Sequence, residues 1–419
     1  MISRANISRA ALNVLYGLKD AGFQAHLVGG GVRDLLLGRE PKDFDVATDA
    51  TPEQVKEVFR SCRLIGRRFR LAHVRFGREI IEVATFRAGQ PEPSPDHQSD
   101  EGMLLRDNVY GNIEEDALRR DFTVNALYYN IQDFSVIDYA GGVADLEAGV
   151  LRLMGDPETR YREDPVRMLR AVRFMAKLGF VIEPETEKPI WELGDLLQGV
   201  PAARLFEEVL KLFMGGTAAT AYEKLRHYDL FAQLFPDTDQ ALAEQEEEFP
   251  HTLVLQGLLN TDARVREGKP VTPAFLFAVL LWEPVRLRAL VLQAEGLAPY
   301  PAFQQAAGEV LQRQLQQVSL PKRFSIPMRE IWSLQSRFEH TRGKRPARLV
   351  GHPRFRAAYD FLLLRAQAGE VDQKLADWWT DYQQGKPQAP QQENEGAPRK
   401  RRRRGGRRRH KKPTPDTAK

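Results

Sequence analysis

The chain has 419 residues, 42% of them apolar and 28% charged, enough for two or three domains with buried cores. No apolar run approaches eighteen residues, so no membrane span is expected. The single cysteine, Cys62, rules out an internal disulfide or a cysteine metal cluster and points to a reducing, cytoplasmic setting. The net charge of +4 hides an asymmetry: residues 386–419 carry thirteen Lys/Arg against three acidic residues, a net +10, so the other 385 carry −6.

In chain order, MISRANISRAALNVLYGLKDAGF breaks its apolar positions with charge and reads as an amphipathic helix, not a secretory signal. AHLVGG predicts a short buried strand stopped by glycines, and VRDLLLG a helical turn ending at Gly38. REPKDFDVATDA predicts a strand on which Asp43 and Asp45 share a face. TPEQVKEVFR predicts a helix capped by Thr51, with Pro52 in its first position. LAHVRFGREIIEVATFR predicts a hairpin turning at Gly77-Arg78. Residues 89–102, rich in Pro, Ser and acid, read as a mobile loop, and FSVIDYAGG as one more strand.

From about residue 157 the strand signals fade. DPVRMLRAVRFMAKLGF predicts a helix with Asp164 as N-cap, an apolar stripe of Met168, Val172 and Met175, and Gly179 as its stop. AARLFEEVLKLFMGG, PAFLFAVLLW, PMREIWSLQSRF and PRFRAAYDFLLLRAQAG continue in helical style. The expected architecture is α+β: a head with a small mixed sheet over 1–150, a helical neck over 151–215, a helical body over 216–385 and a disordered basic tail over 386–419.

Two aspartates on one face of a strand raise each other's pKa. A divalent cation between them relieves the repulsion, and carboxylates holding such a cation serve phosphoryl transfer. A solvated strand edge is the plainer account of the same pair. Gly29, Gly30 and Gly31 follow a strand and precede a helix, where backbone N–H groups can approach a phosphate. The pattern is neither a P-loop nor the dinucleotide fingerprint. Arg33, in the first helical turn, either reaches a phosphate or pairs with Asp34. A triphosphate loop beside a metal-binding strand suggests a nucleotidyltransferase.

LVGGGVRDLLLGREPKDFDVAT resembles the signature of the polymerase-β-like nucleotidyltransferases that include CCA-adding enzymes and bacterial poly(A) polymerases. EEDALRRDFTVNALYYN resembles their second motif and YREDPVRMLRAVRF their base-reading helix. LIGRRFRLAHV resembles the stretch that marks bacterial poly(A) polymerases, and the similarity runs on through PARLFEEVLKLF, PAFLFA and FRAAYD. The resemblance implies magnesium as cofactor, ATP as substrate and an RNA 3′ end as primer. It makes Asp43 and Asp45 the metal ligands and Asp121 the third catalytic carboxylate, in a place where an N-cap would also suit it. Glu82 competes for that third place, on a strand that can neighbour the pair, with a salt bridge to Arg78 or Arg87 as its structural alternative.

Arg119 and Arg120 are candidates for triphosphate contact, or for pairing with Glu114 or Glu115. Asp164 and Arg167, three apart on a helix, offer an acceptor beside a donor. That pair suits adenine or cytosine and rejects guanine or uracil, but does not separate A addition from CCA addition. Helix capping by Asp164 and a pair between Glu163 and Arg167 are the alternatives. The tail segment RKRRRRGGRRRHKK suits a polyanion and is expected to tether RNA; RNA-decay proteins are possible partners there. The stretch HTRGKRPARLVGHPRFR either tracks an RNA backbone or is a solvated face. The expected activity is untemplated addition of AMP to RNA 3′ ends, with CCA addition to tRNA and non-catalytic RNA binding as the two alternatives.

Overall fold

The computed structural model describes residues 2–66, 70–88, 109–245 and 252–385. The expected loop over 89–102 and the basic tail from 386 lie outside the described residues, as do residues 67–69, within LIGRRFRLAHV, and 246–251.

Helix α1 (Arg9–Asp20) starts where the Ser8 side chain accepts from Ala11 N–H at 3.1 Å. Its stripe of Ala11, Val14, Leu15 and Leu18 is fully buried against the sheet. Strand β1 (Ala25–Val28) leads through the glycine turn into helix α2 (Gly30–Leu36), and strand β2 (Asp45–Thr48) follows. Thr51 and Gln54 form a reciprocal capping box at the start of helix α3 (Pro52–Val58). Strands β3 (Cys62–Ile65), β4 (Leu71–Phe76) and β5 (Glu79–Thr85) come next, with the β4–β5 hairpin turning at Gly77-Arg78 and Gly77 at φ +61°. Helix α4 (Ile113–Leu118) leads to strands β6 (Leu127–Asn130) and β7 (Val136–Asp138).

These seven strands form one mixed sheet in the order β3-β4-β5-β2-β1-β6-β7. Its single parallel junction, β2 with β5, sets Asp45 opposite Glu82, while the antiparallel β1–β2 register sets Asp45 opposite Val28. Val28, Ala47, Phe86, Ala117 and Tyr128 make a small apolar cluster under the face that carries Asp45. β6 lacks a period-two signal because Leu127, Tyr128 and Tyr129 are all buried, both faces being covered.

Beyond helix α5 (Gly142–Ala148), strands β8 (Val150–Leu151) and β9 (Val181–Ile182) form a two-residue parallel pair beside the neck. Helix α6 (Pro157–Glu163) ends at Asp164, and helix α7 (Val166–Leu178) begins two residues later. The N-cap position of α7 is Pro165, with no side-chain cap, so Asp164 closes α6 instead of opening α7 as expected. The remaining described residues are helical, beginning with α8 (Pro184–Leu193), α9 (Ala202–Phe213) and α10 (Ala218–His227). Deep in the body, the buried Trp332 and Trp379 indoles donate to Ala278 O (3.0 Å) and Phe338 O (2.9 Å). No helix among the described residues is long and apolar enough to cross a membrane.

Candidate active site

The glycine turn and the aspartates meet through backbone contact. A Cβ added to Gly31 would stand 3.5 Å from Asp43 O and 3.6 Å from the Phe44 ring. Phe44 is buried, while Asp43 is exposed on one side of it and Asp45 half-buried on the other. Gly29, the N-cap of α2, sits at φ +70°, ψ −134°, a region essentially reserved for glycine. Gly29→Ala should therefore cost about 1–3 kcal/mol in denaturant unfolding; a loss within a few tenths would contradict the strained turn.

Asp45 is the strained group. Burial first, and then the charge of Glu82, push its pKa up from 3.8 to about 6; Arg120 opposes the rise and Asp43 adds to it. Glu82 also lies opposite His73, with Nε2 to Oε1 at 3.2 Å. No group of three or more His, Cys, Asp or Glu side chains among the described residues stands at metal-ligand distances. The candidate centre is thus the Asp43/Asp45 pair flanked by Glu82, and its crowded negative charge fits a divalent cation.

Positive charge crowds on the adjoining side. Burial, followed by the guanidinium groups of Arg87, Arg160, Arg167 and Arg120, brings Arg119 down to about 9. Arg160, brought down to about 10 chiefly by burial and by Arg167, donates to the carbonyls of Arg119 (2.6 Å) and Arg120 (2.8 Å) and to Glu163 (2.8 Å). Arg120 joins the two halves. It pairs with Asp116 at 2.9 Å and Tyr128 at 2.9 Å, and its Nη1 is the nearest atom, at 3.5 Å, to a Cβ built on Gly29. Arg120 takes Asp116 rather than Glu114 or Glu115, and Glu115 serves the Asn112 capping box.

Two candidates stand elsewhere than at the charged cleft. Arg33 is 2% exposed and donates to Asp34 (2.6 Å) and Asn125 Oδ1 (2.5 Å), the pairing alternative rather than an open phosphate ligand. Asp121 accepts from Arg170 Nε (2.7 Å), Asn125 Nδ2 (3.1 Å) and Phe122 N–H (2.8 Å). Burial alone would raise its pKa, but Arg170 and the other donors hold it down to about 2. Glu82, not Asp121, is the carboxylate facing Asp45.

On the neck, Arg167 donates to Arg160 O (2.5 Å) and Glu163 (3.1 Å), while Asp164 receives Arg204 Nη2 at 2.6 Å. Sequence reasoning passed over Arg160, Arg170 and Arg204. Arg160 immediately precedes YREDPVRMLRAVRF and Arg170 lies within it, at spacings of three from Glu163 and Arg167, a signal that was visible; Arg204 comes from α9 and carried none.

Family models match three segments: "Poly A polymerase head domain" over residues 25–152, "Probable RNA and SrmB- binding site of polymerase A" over 179–242 and "Polymerase A arginine-rich C-terminus" over 295–413. Poly(A) polymerase I of Salmonella typhimurium is 53% identical over 393 residues, covering 92% of this chain and 84% of that protein. The chain belongs to the poly(A) polymerase family. A CCA-adding enzyme of Lactobacillus helveticus is 40% identical, but over only 51% of this chain and 52% of its own. The Bacillus stearothermophilus CCA-adding enzyme, solved with CTP, superposes with a TM-score of 0.54 at 26% identity, covering 91% of this chain and 89% of that one. Likeness to the poly(A) polymerases thus spans head, neck and body. The head match contains Gly29, Asp43, Asp45, Glu82 and Arg119 to Asp121, whereas Asp164 and Arg167 fall between the head and RNA-binding matches.

Proposed function

We propose that Asp43 and Asp45, with Mg2+, carry the chemistry of this poly(A) polymerase. The chain is a polynucleotide adenylyltransferase: it transfers AMP from ATP to the RNA 3′-hydroxyl without a template and releases pyrophosphate. The observation that carries the residue assignment is the pairing of opposite charge excesses. Carboxylates crowd around Asp45, guanidinium groups crowd around Arg119, and Arg120 lies between them. A metal–triphosphate complex carries a cation and an anion in that arrangement.

When bound, the metal supplies Lewis-acid activation of the attacking hydroxyl and shields the triphosphate. Asp43 and Asp45 hold it, and Glu82 supplies negative charge from the neighbouring strand. Arg119 and Arg120 face the triphosphate, and the Gly29–Gly30 turn lies beneath it with the Gly30 N–H as the donor, since Gly29 N–H donates to Leu127 O at 3.2 Å. Arg33 braces that turn from behind through Asp34 and Asn125. Asp164 accepts from the adenine amino group and Arg167 donates to the ring nitrogen, with Arg204 fixing Asp164. We assign the enzyme to the cytoplasm, in keeping with its lone free cysteine, Cys62. RNA-decay proteins are proposed partners of the tail.

The test offers ATP alone or CTP alone with two RNAs, a tRNA lacking CCA and an unstructured oligomer. Long A tails on the oligomer are expected; growth that halts after three nucleotides on the tRNA would favour CCA addition. Asp43→Ala is expected to abolish incorporation with an unchanged circular dichroism spectrum, and undiminished turnover would refute the metal assignment.

A further inference from the structure

We propose that the helical body holds a second adenine-nucleotide site, occupied by an upstream residue of the adenylated RNA strand. The inference rests on the polyadenylating activity, which makes that strand. A cavity of about 520 Å³ opens between the helices Thr252–Arg266 and Phe355–Gln367 and the start of Pro273–Leu280. The volume is ample for one purine nucleotide.

Its lining has the three chemistries such a ligand requires. Phe275, Leu276 and Ala357 give an apolar and aromatic surface for a base; Phe275 packs edge-on against Phe361 with ring centres 6.1 Å apart. Two side-chain amides, Asn260 and Gln367, sit on that lining. Asn260 Oδ1 accepts from Gln256 at 3.2 Å, while its Nδ2 and the whole Gln367 amide make no hydrogen bond within the described residues. An amide matches the adjacent donor and acceptor of the adenine N6/N7 edge.

The third chemistry is at the rim. Arg264 donates to a neutral carbonyl, Pro270 O, at 3.0 Å, and shares the rim with Glu267, whose carboxylate is held chiefly by Lys269. Arg356 pairs with Asp360 on its own helix, at 3.0 Å and with 71% of its side chain exposed, a weak pair that a phosphate can replace, and lies 5.5 Å from the Tyr359 ring centre. The basic stretch over 340–356 leads into this rim.

Helix α10 packs against both α7 and the Thr252–Arg266 helix. The cavity is therefore one to two helix layers from the base-reading helix, on the order of 10–20 Å, a span that a few nucleotides bridge. The strand the enzyme makes presents adenine at every position. A grip on it favours extension of tails already begun over fresh starts.

The test measures binding of the full chain to labelled oligo(A) and oligo(U) of about twelve nucleotides by fluorescence anisotropy. Both oligomers carry the same charge, so the sequence-blind contribution of the basic tail cancels in their ratio. Oligo(A) should bind about five- to tenfold tighter. Asn260→Leu with Gln367→Leu should bring the ratio to about one without weakening oligo(U), and Ala357→Trp, which fills the cavity, should do the same. Gln367 is exposed, so Gln367→Leu alone gives a folded variant with a partial loss. A ratio near one in the wild type, or one the variants leave unmoved, overturns the site. Displacement of oligo(A) by AMP at comparable concentration overturns the strand in favour of a mononucleotide. AMP incorporation onto an oligo(U) primer bypasses the cavity: its persistence in the variants separates this inference from the catalytic one.

Discussion

Asp45→Asn is expected to lower AMP incorporation at least about a thousandfold while making the metal-free protein more stable. The folded state holds the Asp45 pKa at about 6, above its ordinary 3.8, through burial and the charge of Glu82. Between those values the folded chain binds more protons at this site than the unfolded chain, so stability falls as pH rises through that window. Above pH 6 the full cost is present, about 2–3 kcal/mol. Asparagine removes it. In EDTA at pH 7 the variant should melt a few degrees higher than the wild type, and the gain should vanish near pH 4. Magnesium should close the gap by stabilising only the wild type. A variant less stable than the wild type at pH 7 would contradict the reading of Asp45 as a group strained for metal binding.

Arg170→Met should cost about 2–4 kcal/mol by leaving Asp121 buried without its main cationic partner. The Asp121 pKa is depressed to about 2, so the stability it contributes is present above pH 4 and drains away as pH falls from there through 2. The variant's deficit should accordingly be full at pH 7 and shrink in acid, read by denaturant unfolding across that range. Asp121→Asn separates positioning from metal binding. It should lower stability and leave the magnesium midpoint of the reaction where it was, whereas a shifted midpoint would restore Asp121 as a metal ligand.

The parts of the site that the sequence disclosed are those held by local rules. A glycine turn between strand and helix, two aspartates flanking one buried Phe44, and capping signals at Thr51 and Gly179 each depend on neighbours within a few residues. What depended on pairing across the chain was hidden. Glu82 faces Asp45 because β2 and β5 run parallel, and no spacing in the sequence states that register. Arg33 looked like a phosphate ligand, and it took Asn125, far along the chain, to bury it. Asp164 looked like a cap until Arg204, from another helix, claimed its carboxylate.

The parallel junction of β2 and β5 also constrains how the enzyme comes into being. Asp45 leaves the ribosome early, yet the strand that flanks it on one side ends at Thr85 and the one beyond β1 ends at Asn130. At about 5–20 residues per second, the translating chain spends several seconds with Asp43 and Asp45 unframed. Non-local pairings of this kind form slowly. Catalytic competence must therefore appear abruptly and late during synthesis, after the whole sheet has closed.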